Sequence, residues 1–242
     1  MPLETLDRML ATMRSSFGAM GRRGGRWVDA DGVGALVMPS APERSMVNCV
    51  SYERGADVVG AYDELESLYT GVQAWTVWVP DEDTRTSGFL ASRGHVLDAN
   101  TASMALDLAT FEPPPELPSW ERGTPEQLGT INDAAYPWKD GSLDRAARVA
   151  FSPDDFHLYV AEDAAVLAIR DCDGDAGVWL VATLPEARGR GLAGGLLSVA
   201  MLEARERGCD ISTLQATRAG EPVYARLGYE KFGSIGMWEK RA

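Results

Sequence analysis

The sequence has few of the side chains from which metal and redox sites are built. Its 242 residues include only two histidines and three cysteines. Cys49, Cys172 and Cys209 lack the close spacing of a zinc site or a redox pair. We therefore expect no metal centre, and three reduced thiols indicate a cytoplasmic protein.

A long apolar run and an excess of basic charge are also missing. No run reaches the roughly 20 residues of a membrane-spanning helix. Leu3, Leu6 and Leu10 are interspersed with charged residues as in an amphipathic helix, not as in a signal peptide. The formal net charge is −13, whereas proteins that bind nucleic acid usually present a basic surface. We expect neither a membrane nor a nucleic acid as partner.

Residues 178–207 have the pattern of a strand, a turn and a helix. The apolar run Val178–Thr183 has strand composition, and Pro185 ends it because proline cannot continue a central strand. Apolar residues at helical spacing follow from Leu192 onward, and Gly208 is a typical helix stop. A glycine-rich turn therefore joins a strand to a long helix.

The turn itself, Arg188–Gly194, predicts an anion site. Glycines allow a positive φ and leave room for a ligand close to the backbone. The amides of the turn and of the first helical turn then converge, and the helix dipole adds positive potential. Such amides can hold a diphosphate, and Arg188 and Arg190 add cations at the rim. A tight turn with two solvated arginines is the alternative.

Two nucleotide-binding motifs come close to this pattern without matching it. Gly189–Gly194 satisfies G-x-G-x-x-G, but a dinucleotide site also needs an acidic residue at the far end of the next strand. Here that strand, Ile211–Ala216, is followed by Thr217. No Gly-Lys-Ser/Thr follows the turn, which argues against a nucleoside-triphosphate loop.

The turn closely resembles the acyl-CoA signature of the GNAT acetyltransferase superfamily, Arg/Gln-x-x-Gly-x-Gly/Ala. The matching residues are Arg188, Gly191 and Ala193. A second stretch, Glu221–Tyr229, resembles the YxxxGF helix and turn of the same family, with Tyr229 in place of the usual Phe. The two resemblances together cover residues 119–242.

The resemblance implies a fold, a reaction and a set of site residues. The fold is α/β (α+β), a mixed and mostly antiparallel central sheet flanked by helices. The reaction is direct transfer of an acetyl group from acetyl-CoA to an amine. Tyr224 would protonate or hydrogen-bond the leaving sulfur, since a phenol with a pKa near 10 can donate a proton to a thiolate. Thr217 stands where many members have an asparagine, which leaves its pantetheine contact open.

The implied cofactor contacts run through the backbone of the strand end and the turn. They are Val181, Ala182 and Thr183 for the pantetheine arm, and Arg188, Gly189, Arg190, Gly191, Leu192, Ala193 and Gly194 for the diphosphate. Plain packing is the alternative for three site residues: Tyr224 as an aromatic on an amphipathic helix, and Val181 and Ala182 as strand core.

A general base is not evident in the sequence. The strand Val178–Thr183 carries no carboxylate, and Asp175 just before it is expected in a turn. His95 and His157 are expected to be structural, so deprotonation through water stays open. Aromatic residues that could line the acceptor pocket, or equally well pack in the core, are Tyr136, Trp138 and Trp179.

The first part of the chain carries a short repeat of the C-terminal pattern. Aligning Gly94 with Gly228 places Leu90 on Tyr224. We predict two tandem copies: a degenerate GNAT-like domain without a cofactor loop over residues 1–115, and the catalytic domain over 119–242. A proline-rich linker ends at 116–118. The degenerate domain is expected to open with a helix over 3–20 and a basic loop over 21–26.

The sequence thus favours an N-acetyltransferase with a small-molecule amine as acceptor, and it allows a homodimer. A non-catalytic acyl-CoA-binding sensor or partner module is the alternative. A nucleotide-dependent oxidoreductase is disfavoured, because the acidic residue of a dinucleotide site is missing.

Overall fold

One continuous sheet runs through the molecule. A computed structural model describes residues 2–136 and 140–242, and these residues form eleven strands and seven α-helices. The helices are α1 (Pro2–Gly24), α2 (Val58–Leu68), α3 (Thr84–Ser92), α4 (Pro125–Ala135), α5 (Ser142–Ala150), α6 (Leu192–Glu206) and α7 (Glu221–Arg226). The strands are β1 (Arg26–Ala30), β2 (Val33–Val37), β3 (Cys49–Tyr52), β4 (Ala74–Pro80), β5 (Val96–Asp107), β6 (Glu121–Arg122), β7 (His157–Ala161), β8 (Ala165–Cys172), β9 (Asp175–Thr183), β10 (Ile211–Ala216) and β11 (Glu230–Arg241).

The sheet is mixed and mostly antiparallel. Its order is β1-β2-β3-β4-β11-β5-β10-β9-β8-β7-β6. Only β3–β4 and β9–β10 pair in parallel among the described strands, and each of these pairs is connected through a helix, α2 and α6 respectively. The predicted α/β class with a mostly antiparallel sheet flanked by helices is confirmed.

The centre of the sheet is an antiparallel pair of twelve-residue strands, β5 and β11. Val96 lies opposite Glu239 at one end, Ala105 lies opposite Glu230 at the other, and Thr101 faces Ile235 midway. On the outer sides, β5 pairs with β10 and β11 pairs with β4. Each of these two strands therefore lies between the other one and a strand from the other part of the chain.

Helices cover both faces of the sheet. On one face, α1, α4 and α5 pack on a cluster that includes Met13, Trp78 and Trp179. On the other face, α6 covers the C-terminal strands and α2 covers the N-terminal ones. Because α1 contacts β2 and β3 as well as β8 and β9, it connects the two parts of the sheet.

The first helix is longer than the sequence predicts. It continues to Gly24, so the basic loop expected over 21–26 is wrong. Glycine at two positions lets the last turn pack closely: a Cβ would lie 2.7 Å from Trp27 Cβ at Gly21 and 2.5 Å from Val149 Cγ2 at Gly24. Arg23 pairs with Asp154 and Asp155 at 2.9 and 2.8 Å, and positive charge suits a helix C-terminus.

Two elements predicted from the sequence, one strand and one helix, are confirmed. The strand Val178–Thr183 is the end of β9, and the helix from Leu192 is α6. Thr124 caps α4 by accepting a hydrogen bond from Gln127 N at 3.1 Å, in a complete capping box. Among the described residues, no helix could span a membrane, no cluster of side chains has the makings of a metal site, and the three cysteines are free thiols.

Candidate active site

The candidate site lies where β9 and β10 separate. Their parallel pairing joins residues 175–177 to residues 211–213 and goes no further. Beyond that point a cleft of about 740 Å³ opens between the strand ends, the start of α6 and α7. Volumes of this order are typical of sites for small molecules.

Most of the predicted site residues meet in this cleft. Those that line it are Val181, Ala182, Thr183, Arg188, Gly189, Gly191, Leu192, Ala193, Gly194, Thr217 and Tyr224. The exception is Arg190, which does not line the cleft.

The turn before α6 presents a row of free amides. From Gly189 to Gly194, no backbone N–H donates a hydrogen bond within the described residues, and the first bond after them runs from Gly195 N to Gly191 O at 2.9 Å. Gly189 and Gly191 have φ of +79° and +78°. Positive φ at alternate residues turns successive amides toward one hollow. The helix N-terminus adds positive potential, so this turn can bind an anion such as a diphosphate.

Glycines in the turn and at the start of α6 are required for two different physical reasons. A Cβ at Gly189 or Gly191 would meet nothing within 4 Å, so the backbone conformation, not space, favours glycine there. At Gly195 a Cβ would lie 2.5 Å from Pro118 Cδ. Gly195 therefore serves close packing of α6 against the linker.

The two arginine side chains of the turn point away from the amides. Arg188 donates to Ala135 O at 2.7 Å and to Thr183 O at 3.3 Å, so its guanidinium ties the end of α4 to the end of β9. Arg190 lies 2.5 Å from Glu162. The expectation of two cations at the rim is therefore wrong for Arg190, because a carboxylate outside the cleft engages its guanidinium. Only its amide remains in the turn.

Tyr224 projects from α7 into the cleft. Its ring packs edge-on against Tyr229, with 5.9 Å between ring centres. Its hydroxyl has no hydrogen-bond partner within the described residues. Burial raises the pKa of Tyr224 well above its ordinary value, and the nearby Tyr136 hydroxyl adds to the rise. The phenol is therefore protonated at neutral pH and can donate a hydrogen bond or a proton.

Thr217 shapes the turn that begins α7. Its side-chain oxygen accepts a hydrogen bond from Gly220 N at 3.2 Å, and its carbonyl accepts from Gly220 N and Glu221 N at 2.9 Å. The hydroxyl can still donate toward the cleft, which it lines.

The wall opposite Tyr224 comes from the end of α4. Tyr136 lines the cleft, as predicted for the acceptor pocket, and its hydroxyl lies 3.5 Å from Val181 O. Trp179 does not line it. That residue is 9% exposed and packs edge-on against Phe17 on the α1 face of the sheet. Trp138 lies outside the described residues.

Sequence reasoning missed several cleft residues, including Gly220 before α7 and Arg226 at its end. Arg226 forms no ion pair or hydrogen bond through its guanidinium within the described residues.

The general base is not among the described cleft residues, none of which is a carboxylate. Asp175, expected in a turn, instead begins β9 and is fully buried, with Thr12 and Thr213 donating to its Oδ2 at 2.7 Å. His157 lies 3.4 Å from Asp171, and His95 hydrogen-bonds Tyr62. Both histidines are therefore structural.

Comparison with known proteins gives one family match. Residues 154–231 match the model of the acetyltransferase (GNAT) domain. No curated protein matches the chain at a significant level.

Three solved structures share the fold over nearly the whole chain. A GCN5-related N-acetyltransferase from Kribbella flavida is 19% identical, with a TM-score of 0.71 over 96% of both chains. A tandem GNAT protein from the clavulanic acid biosynthesis pathway is 14% identical, with a TM-score of 0.58 over 97% of this chain and 95% of that one. A fungal GCN5-related glucosamine N-acetyltransferase region is 16% identical, with a TM-score of 0.60 over 98% of this chain and 37% of its multi-domain β-N-acetylglucosaminidase.

At these identities the solved structures show a common fold. The family match covers β7 to α7, with the separated strands, the turn of free amides and Tyr224. The match to the GNAT acetyltransferase domain therefore spans the strands, the turn and the tyrosine that form the cleft.

Proposed function

We propose that the protein is an N-acetyltransferase that moves an acetyl group from acetyl-CoA to an amine. One observation carries the proposal: the free amides of Gly189–Gly194 and the unpartnered hydroxyl of Tyr224 face the same cleft. The amides suit a diphosphate, and the hydroxyl suits a leaving thiolate. The GNAT domain match over residues 154–231 supports the same assignment.

The end of β9 is suited to the pantetheine arm. Ala182 and Thr183 pair with β8 on one side, but the side toward β10 is open because the parallel ladder stops at Gly177. A strand with one open side can pair with an extended ligand through its backbone. We therefore assign the amide groups of pantetheine to Val181–Thr183 and the diphosphate to the turn.

The chemistry we propose is direct transfer. Acetyl-CoA supplies the acetyl group as a thioester. The neutral amine attacks the carbonyl carbon, a C–N bond forms and the C–S bond breaks. Tyr224 donates its proton to the departing sulfur, and the proton released by the amine passes to water, from which Tyr224 regains its own.

A small-molecule amine is the acceptor we propose. The cleft has the size of a small-molecule site, and its acceptor side is walled by Tyr136 and Tyr224. The net charge of −13 attracts a cationic amine. The fungal region with the same fold is described as a glucosamine N-acetyltransferase, so an amino sugar belongs among the first acceptors tested.

We further propose that residues 1–115 are a degenerate copy of the catalytic domain. Two equivalent helix ends support this: Gly94 N bonds Ala91 O and His95 N bonds Leu90 O, as Gly228 N bonds Ala225 O and Tyr229 N bonds Tyr224 O. Each of these glycines leads into a twelve-residue central strand. The tandem GNAT protein that shares the fold is consistent with this.

This copy has no equivalent site. Buried Leu90 stands where the catalytic half has Tyr224, so no hydroxyl is available. The loop between β3 and α2 carries Glu53 and Asp57, whose charge opposes an anionic ligand. We propose that this half supports the fold and the acceptor side. The proposal includes a cytoplasmic location, in which three free thiols stay reduced, and no nucleic-acid or membrane partner.

Turnover tests the proposed function. The protein is incubated with acetyl-CoA and a panel of amines that includes amino sugars, CoA release is followed with a thiol reagent, and products are identified by mass spectrometry. Amine-dependent CoA release with an acetylated product supports the enzyme. Acetyl-CoA binding without release on any amine would favour the alternative, a non-catalytic acyl-CoA sensor.

A further inference from the structure

Strand β9 contains a bulge where the residues assigned to pantetheine begin. Val166 of β8 lies opposite Ala182, but Ala168 lies opposite Trp179, so Leu167 faces two residues of β9. One of these is Leu180, whose φ is +50°. The four other non-glycine residues with positive φ in the described chain are Asp or Glu in turns. A left-handed leucine inside a strand is therefore the unusual case.

The bulge changes which face of the sheet the following residues occupy. Trp179 and Leu180 both pack on the α1 face, whereas regular strands alternate. Val181 then packs on the α6 face. Without the bulge the alternation would place Val181 on the α1 face, because a slip of one residue reverses every side chain. The bulge thus determines the orientation of the backbone that lines the cleft.

A left-handed leucine needs support from its surroundings. This conformation is unfavourable for a residue with a Cβ. The support comes from α4, where Asn132 Nδ2 donates to Leu180 O at 3.0 Å and to Leu128 O at 2.8 Å. Asn132 is fully buried.

The buried amide of Asn132 is only half satisfied. Its Oδ1 has no hydrogen-bond partner, while both protons of Nδ2 are used. A buried acceptor without a partner is unfavourable, and an apolar residue would avoid it. The two hydrogen bonds that Nδ2 donates therefore explain why a polar side chain is buried at position 132. One of the two acceptors is the carbonyl oxygen of Leu180, the residue with positive φ.

We propose that Asn132 is a positioning residue for acetyl-CoA. Its side-chain amide holds the Leu180 bulge, and the bulge directs the backbone of Val181–Thr183 into the cleft. The proposal rests on the proposed function for its ligand, but the hold on the bulge does not depend on any ligand.

Hydrogen exchange of the unliganded protein tests whether Asn132 stabilises the bulge at Leu180. In Asn132→Ala, amides of residues 176–184 should exchange roughly tenfold faster, because the local opening becomes easier. The double variant Asn132→Ala/Leu180→Gly should return toward the wild-type rate, since glycine adopts positive φ without strain. Ser16→Ala is the control, because it removes another buried bond from a side chain to a carbonyl one turn earlier, in α1.

Ligand fragments separate positioning from general damage. Asn132→Ala should weaken acetyl-CoA binding roughly tenfold, because the backbone of Val181–Thr183 would no longer be held in place to hydrogen-bond the pantetheine arm. Binding of adenosine 3′,5′-bisphosphate, which lacks the pantetheine arm, should not change. If Asn132→Ala does not fold, Asn132→Asp, which keeps the shape and loses the donor, replaces it in both experiments.

Three results would overturn the proposal: unchanged exchange over 176–184, no recovery with Leu180→Gly, or an equal loss of affinity for both ligands. Failure of the proposed function looks different. In that case the wild type binds neither ligand, while the exchange experiment still decides whether Asn132 holds the bulge.

Discussion

Gly220 leaves the space that the ring of Tyr224 occupies: a Cβ at position 220 would lie 2.9 Å from Tyr224 Cε2. The backbone of Gly220 has φ −82° and ψ −32°, which any residue adopts. Position 220 therefore lacks a side chain because the Tyr224 ring occupies that space, and not because the backbone conformation requires glycine.

Replacing Gly220 by Ala should displace the Tyr224 ring. We expect CoA release to fall about tenfold or more, because a small misplacement of a reacting group is costly. The unfolding temperature should change little. Gly88→Ala, in a helix where a Cβ would meet nothing within 4 Å, is the matched control. In the Tyr224→Phe background, Gly220→Ala should cause little further loss of activity, and a full additional loss would contradict the role assigned to Gly220.

Removing the Tyr224 hydroxyl should separate catalysis from binding. Tyr224→Phe keeps the ring and its packing on Tyr229, so acetyl-CoA affinity should stay within about twofold while kcat falls roughly 100-fold, a typical loss for general acid catalysis. Steady-state kinetics and calorimetry check this. Tyr62→Phe, which removes a hydroxyl on α2 outside the cleft, should leave both unchanged. Full activity in Tyr224→Phe would mean that another group meets the sulfur.

Gly191, one of two glycines with positive φ in the turn, should affect ligand binding as well as stability. Gly191→Ala forces a Cβ into positive φ and should lower the stability by about 1 kcal/mol. It should also disturb the free amides and weaken acetyl-CoA binding. Gly71→Ala is the matched control, since its φ is +88° and a Cβ there also meets nothing. For Gly71→Ala we expect a similar loss of stability and an unchanged affinity for acetyl-CoA. Urea unfolding and calorimetry measure the two quantities. Equal affinities in both variants would exclude the turn as the diphosphate site.

Of the arginines in the described part of the chain, Arg226 rather than Arg190 lines the cleft with a guanidinium that forms no ion pair. Arg226→Ala should weaken acetyl-CoA binding by several-fold at low salt, with the difference shrinking at high salt because exposed charges are screened. Arg190→Ala removes a guanidinium that pairs with Glu162 and should have the smaller effect. Titrations at two ionic strengths measure both. The opposite ranking would show that Arg190 leaves Glu162 when the ligand binds.

Asp175 should make the stability depend on pH without affecting catalysis. Burial raises the pKa of Asp175 to about 6, against the lowering effect of hydrogen bonds from Thr213 and Thr12. The folded-state pKa lies above the unfolded value near 4, so the folded state holds the proton more tightly. The contribution of this group to stability is therefore present below pH 4 and falls as the pH rises from 4 to 6.

Asp175→Asn removes that titration and keeps an acceptor for both threonines. Relative to the wild type, its free energy of unfolding should rise by on the order of 2–3 kcal/mol between pH 4 and pH 7. Urea unfolding at both pH values checks this. Activity should be unchanged, because Asp175 lies at the opposite end of β9 from the cleft, about 20 Å along the strand from Val181, the first residue of β9 that lines it. If the difference in free energy of unfolding between Asp175→Asn and the wild type were the same at both pH values, the pKa of Asp175 would not be raised in the folded state.

The sequence predicted the parts of the site that local chemistry determines. Glycine spacing and helical periodicity indicate the turn and α6, and Tyr224 lies within a motif of contiguous residues. Other features depend on contacts between distant residues, which no local pattern reveals. Asn132 meets Leu180 only because α4 packs on β9, and Asp175 is buried only because α1 crosses the same strand. The domain ranges 1–115 and 119–242 stay a prediction.

Calorimetric titration with acetyl-CoA tests the central claim most directly, with NADH as the control ligand. We predict micromolar binding of acetyl-CoA, weaker binding in Gly191→Ala, unchanged binding in Tyr224→Phe and no binding of NADH. Absence of acetyl-CoA binding to the wild type would contradict the acetyltransferase proposal and leave the GNAT-like fold without an assigned ligand.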